Sequence, residues 1–246
     1  MTAPTKNFRA YLKCAIDRAL KDEAERNDNG NLKWFAELAR RGVLGRWDDL
    51  APECFLEEYL WCVGSVRKKY WVHEKHFPAQ KLLFRKCESA TIVRDAAQIR
   101  AEWTAKKCDL NSKMLDAVIA TATKVAGGWG AFKVEYLLLP DNPDSELLDD
   151  WWQSYSKLDD LPMVGRAIAW YLIRNLYGAP FFKPDLHINA IVKHFFGPDR
   201  LSEMSRAVRQ LWPKVCDDPR WPVVHLGVAD YMLWWYRQST GEPQGV

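Results

Sequence analysis

The chain has 246 residues, with 35 Lys and Arg against 32 Asp and Glu, for a net charge of +3. Hydrophobic residues make up 48% of it, the share of a globular chain rather than a disordered one. No apolar run reaches the ~20 residues of a membrane helix, and the start, Met1-Thr-Ala-Pro-Thr-Lys-Asn-Phe8, lacks the apolar segment of a signal peptide. So small a net charge permits nucleic-acid binding without requiring it.

The six cysteines, Cys14, Cys54, Cys62, Cys87, Cys108 and Cys216, contain no C-x-x-C pair. A zinc ribbon or an iron–sulfur loop needs clustered thiolates, so no metal and no cofactor is expected. Scattered thiols fit free, buried cysteines in a reducing cytoplasm. His73 and His76, one helical turn apart, read as ordinary helix residues because no third ligand stands near them. Tryptophan is abundant, at 13, with Trp151-Trp152 and Trp234-Trp235 paired and Trp212 close to Trp221. Such rings serve a core, or they stack on bases.

In chain order, residues 6–26 carry Phe8, Leu12, Ile16 and Leu20 at a helical spacing of four. A turn at Asn27–Asn31 precedes a short helix over 32–41. From Glu53 to about His73, Phe55, Leu56, Tyr59, Leu60 and Val63 predict a buried helix broken near Gly64-Ser65. Asn111 to Ala126 is an amphipathic helix ended by Gly127-Gly-Trp-Gly130. Residues 140–150 are an acidic loop and helix start, and Trp151 to Leu161 a helix. Pro162-Met-Val-Gly165 is a tight turn, and Arg166 to Tyr177 is helical again until Gly178-Ala-Pro180. His187 to Phe196 presents Ile188, Ile191, Val192, Phe195 and Phe196 on one face. Two more helices cover 201–212 and 222–237, and 239–246 is a frayed tail. Alternation of period two is absent, so the fold class is all-α.

The informative stretch is Leu158 to Gly197. Leu161-Pro162-Met163-Val164-Gly165-Arg166-Ala167-Ile168-Ala169 and, beyond a helix, Pro184-Asp185-Leu186-His187 form a turn–helix–loop–helix pattern. This pattern resembles the helix-hairpin-helix DNA glycosylase superfamily, whose hairpin reads L-P-G-V-G-x-K-T-A and whose loop ends V-D-x-H. Ala167 and Asp185 are 18 residues apart, in keeping with that family. The resemblance implies a two-lobed, all-α fold. Residues 1–50 and 198–246 would complete one lobe. Residues 51–197 would form a six-helix core, with the hairpin at 158–177 and a catalytic loop at 178–187.

The resemblance also implies roles. Met163, Val164, Gly165, Arg166 and Ala167 would hold a DNA phosphate through backbone N–H groups at a helix start. Gly165 would permit close backbone approach, whereas Met163 departs from the family's glycine. Asp185 would stabilise the positive charge that develops on a sugar as its bond to a flipped base breaks. Taken alone, Pro184-Asp185 before a helix is also an ordinary N-cap. Ala167 stands where strand-cutting members carry a Schiff-base Lys, which implies base removal without strand cleavage. Lys183 could substitute only as a nearby amine. Ser65 and His187 are further positions near a pocket or loop, and Arg67-Lys-Lys69 a candidate phosphate contact. The expected partner is double-stranded DNA, with no membrane. Two rivals remain: an enzyme of the same fold that modifies a flipped base in phage DNA, and a non-catalytic DNA-binding module.

Overall fold

A computed structural model describes residues 3–26, 32, 50–66, 70–105, 108–137, 157–177 and 181–241. Among these there are α-helices and 3-10 turns and no strand, so the described structure is all-α. The helices are α1 (Ala3–Arg26), α2 (Pro52–Ser65), α3 (Tyr70–Leu83), α4 (Ser89–Arg94), α5 (Ala96–Ala105), α6 (Ser112–Ala126) and α7 (Trp129–Tyr136). Then follow α8 (Arg166–Tyr177), α9 (Leu186–Phe195), α10 (Leu201–Leu211) and α11 (Leu226–Thr240). No helix among the described residues is long and apolar enough to cross a membrane. Apart from Leu32, the helix expected over 32–41 lies outside the described residues, as do the acidic stretch 140–150, Trp151-Trp152, Arg67-Lys-Lys69 and Gly178-Ala-Pro180.

The helices form two compact units, one of α1 and α9–α11, the other of α2–α8. The helix that follows Asp185 therefore groups with the terminal helices rather than with the core expected over 51–197. The reason is its apolar face. Ile188, Ile191, Val192 and Phe195 are buried together with Phe8, Tyr11, Leu12 and Ile16 of α1. The Phe195 ring lies 5.3 Å from Phe8 and 5.1 Å from Tyr11, both tilted. Val228, Ala229, Met232 and Leu233 of α11 join the same core. Each of the larger side chains among them contributes about 1.5–3 kcal/mol by leaving water. Buried Trp212 keeps its indole N–H satisfied on the Trp221 carbonyl at 3.0 Å.

In the other unit α2 buries Phe55, Leu56, Tyr59, Leu60 and Val63. It ends at Ser65, where the expected break falls, and the Ser65 hydroxyl donates to the Cys62 carbonyl at 2.8 Å. Gly64 is required here. A Cβ on it would sit 2.6 Å from His73 Cε1 and 2.9 Å from Gln80 Oε1. His73 is buried with its ring 4.4 Å from Trp61 and 5.6 Å from Phe77, in an aromatic nest. Asn111 caps α6 by accepting the Met114 N–H at 2.9 Å. Gly127 ends α6, but Gly128 adopts φ 153° and starts α7 at once. That helix was hidden by its own glycines, although Trp129, Phe132 and Tyr136 form a ladder of rings beside Phe55.

Candidate functional site

The hairpin is set by Pro162 and Met163. The Val164 N–H bonds the Leu161 carbonyl at 3.1 Å, closing a four-residue turn. Met163 has φ 62°. Proline second and a left-handed third residue are the marks of a type II turn, where glycine is favoured. Met163 therefore carries the strain that a glycine would avoid, the consequence of the departure seen in the sequence. Leu161 and Val164 are buried and pin the two ends of the turn. The Tyr59 hydroxyl of α2 donates to the Pro162 carbonyl, and burial pushes that phenol up to about 12, so it stays a donor.

Gly165 precedes α8 and its carbonyl accepts from the Ile168 and Ala169 N–H groups, each at 3.0 Å. It is the N-cap by position, and the first N–H groups of the helix face outward from it. A Cβ on Gly165 would meet nothing within 4 Å. Close approach of this protein's own backbone, expected from the sequence, is thus not what Gly165 serves. The space beside it is open. Arg166 is exposed, with its guanidinium 5.3 Å from the buried Trp170 ring. Ala167, half-buried, offers no nitrogen nucleophile.

The second constellation lies in the unit of α1 and α9–α11. Asp185 is the N-cap of α9, extended at φ −89° and ψ −179°. Its Oδ1 accepts the N–H groups of His187 and Ile188, each at 2.9 Å. Its Oδ2 lies 2.9 Å from Lys183 Nζ, with both side chains mostly buried at 15% and 16% exposure. Burial works against ionisation here. The Lys183 charge and the Ile188 N–H outweigh it and hold the carboxyl below the usual range.

His187 is half-buried beside it. Arg237 of α11 lies 3.0 Å from His187 Nδ1, and a guanidinium can only donate, so the ring proton sits on Nε2. Burial pushes the imidazole down, and Arg237 and Lys183 add to this against the pull of Asp185. His187 is therefore neutral near pH 7. Its ring meets Trp234 edge-on at 5.9 Å. Asp230 of the same helix, 1% exposed, accepts the Lys183 N–H at 2.8 Å.

The structure thus brings Lys183, Asp185 and His187 into one loop and helix start. It brings Met163 to Ala167 into one turn and helix start. Ser65 stands at the end of α2, its hydroxyl on the Cys62 carbonyl. Of the tryptophans noted in the sequence, Trp212 and Trp221 are buried, and Trp235 donates to Asp22 at 2.7 Å. Only Trp234 of that set touches a candidate site residue among the described contacts.

Sequence reasoning missed three residues: Asp230, Trp234 as a site neighbour, and Arg237. They recur at i, i+4 and i+7, one face of α11. An acid inside the otherwise apolar run Leu226–Leu233 was the available signal. It also missed Glu58 of α2, which accepts from Asn175 Nδ2 of α8 at 3.3 Å. Burial raises the Glu58 carboxyl to about 7, against the Asn175 hydrogen bond and the Arg174 charge. Among the described residues no group of three or more His, Cys, Asp or Glu could hold a metal ion. Comparison with protein-family models, with curated proteins and with solved structures finds no match to this chain.

Proposed function

We propose that the protein is a monofunctional DNA N-glycosylase that takes a damaged or modified base out of duplex DNA and hydrolyses its glycosidic bond. The observation that carries this reading is the Asp185 carboxylate, held ionised at the start of α9 in the loop that follows the hairpin helix. A carboxylate fixed in a mostly buried setting stabilises the cation that forms on the sugar. A carboxyl held below its usual range is a weak base, so charge stabilisation is its main work and orientation of the attacking water its second.

The hairpin supports the same reading. Outward N–H groups at the start of α8, with open space beside Gly165, suit a backbone phosphate held without regard to sequence. The half-buried indole of Trp234, next to His187, is an aromatic surface on which an unstacked base can lie. Ala167 cannot form a Schiff base, and the Lys183 ammonium is committed to Asp185. The product is accordingly an abasic site in an intact strand.

One observation favours a second reading. Both Asp185 oxygens are satisfied inside the protein, Oδ1 by two backbone N–H groups and Oδ2 by Lys183. A plain N-cap in a non-catalytic DNA-binding module needs nothing more. The test is incubation of the protein and of Asp185→Asn with duplexes carrying damaged, deaminated or naturally modified bases. Alkali then reveals abasic sites, and mass spectrometry follows the bases. Alkali-dependent cleavage lost in the variant supports the glycosylase. Duplex binding without product in either protein supports the module. A mass change on a base still joined to its sugar moves the protein to base modification, and cleavage without alkali assigns lyase chemistry to an amine such as Lys183.

A further inference from the structure

We propose that Asp230 is the positioning residue of the Asp185 loop, fixing through Lys183 where the second carboxylate oxygen of Asp185 lies. This rests on the reading of Asp185 as the group that acts on the sugar.

Asp230 is an acid where the helix has every reason to be apolar. Leu226, Val228, Ala229, Met232 and Leu233 around it are all buried core, and Asp230 itself is 1% exposed. A buried carboxylate is costly unless it is hydrogen-bonded, and an apolar residue of similar size would pack there at less cost. What the carboxylate does instead is accept the backbone N–H of Lys183 at 2.8 Å.

Lys183 then works in two directions. Its backbone is held by Asp230 on α11, and its ammonium holds Asp185 Oδ2 at 2.9 Å. The other oxygen, Oδ1, is fixed by the start of α9. The line Asp230–Lys183–Asp185 therefore completes the orientation of the carboxylate, which the helix alone sets at one oxygen. Two turns further along α11, Arg237 binds His187 Nδ1 at 3.0 Å. One helix face grips the loop on both sides of Asp185. Reacting groups tolerate little misplacement, and about 1 Å costs on the order of 100-fold in rate.

The test uses Asp230→Ala, which removes the acceptor, and Asp230→Asn, which keeps an oxygen in the same place. Asp230→Leu serves as a second acceptor-free variant should Ala at this buried site fail to fold. The Asp185 carboxyl is titrated by carbon-13 NMR in aspartate-labelled protein, with Asp185→Asn assigning the resonance. Affinity is measured on a duplex carrying a tetrahydrofuran abasic analogue, and base release is measured in single turnover.

Removing the acceptor is expected to shift the Asp185 titration upward, because Lys183 is no longer held against it. It should slow base release by roughly 10–100-fold and leave duplex affinity within about twofold. Asp230→Asn should keep the wild-type titration limb and most of the rate. An Asp185 titration unmoved in Asp230→Ala and Asp230→Leu overturns the proposal, as does base release at the wild-type rate. The titration needs no substrate. A wild-type protein that releases no base, yet whose Asp185 titration follows Asp230, refutes the glycosylase reading and leaves the positioning role standing.

Discussion

Glu58 makes the pH dependence of stability a test of the packing between α2 and α8. Its carboxyl titrates at about 7 in the folded chain because burial outweighs Asn175 and Arg174. In the unfolded chain it titrates near 4.5. Between those values the folded state holds a proton that the unfolded state has lost, so stability falls as pH rises. The full span is worth about 3 kcal/mol, and solvent reaching the half-buried side chain reduces this to about 2 kcal/mol. Stability from this group is complete below pH ~4.5 and is gone above pH ~7.

Glu58→Gln keeps an oxygen for Asn175 and removes the titration. The variant should match the wild type at pH 5 and exceed it by about 2 kcal/mol at pH 8. Urea unfolding followed by tryptophan fluorescence at several pH values gives both curves. His187, held low, acts in the opposite sense: its stability contribution is complete above the ordinary imidazole value near 6.5 and is lost as pH falls below it toward the lowered folded value. It lies in the other unit and is present in both proteins, so it cancels in the difference. Asp185, Asp95 and Asp218, held low, act only below pH ~4. Parallel stability curves from pH 5 to 8 would refute the assignment of a buried, proton-holding Glu58.

Met163→Gly should raise the melting temperature slightly. Relief of a left-handed residue is worth about 1–2 kcal/mol, and the extra freedom of unfolded glycine takes back about 0.5–1 kcal/mol. A clear loss of stability would mean that the Met163 side chain contributes more than its backbone costs. Gly64→Ala should destabilise by about 1–3 kcal/mol, since its methyl would collide with His73 and Gln80. An unchanged urea midpoint would show that those side chains can move aside. Gly165→Ala should cost no more than about 1 kcal/mol in unfolding, because the added methyl meets nothing, while lowering duplex affinity several-fold. Equal duplex affinity in a binding titration would remove the phosphate from the space beside Gly165.

How much of this was legible in the sequence depended on where the forces act. Helices with one wide apolar face, such as α6 and α9, could be read because burial and periodicity coincide. The end of α2 at Ser65 could be read because Gly64 marks it. The continuation of α3 beyond His73 could not, since Pro78 stands inside it and a proline is a stop signal on a local reading. The short α4 and α7 carry too few residues for a period, α5 buries only Ile99 and so shows no apolar stripe, and α7 begins in glycines.

The candidate site divides in the same way. Asp185 and the hairpin follow each other closely in sequence, so a spacing exposes them. Asp230 and Arg237 reach the same loop across 47 and 50 residues, and no local pattern records that. The N-cap and catalytic roles of Asp185 are also not rivals for the same atoms. Capping uses Oδ1 alone, and an asparagine oxygen can perform it. The pairing with Lys183 belongs to Oδ2 and requires the charge, and the low titration draws on that charge as well as on the Ile188 N–H at Oδ1. Asp185→Asn therefore separates the two roles: if the helix stands and base release is lost, the carboxylate is there for its charge.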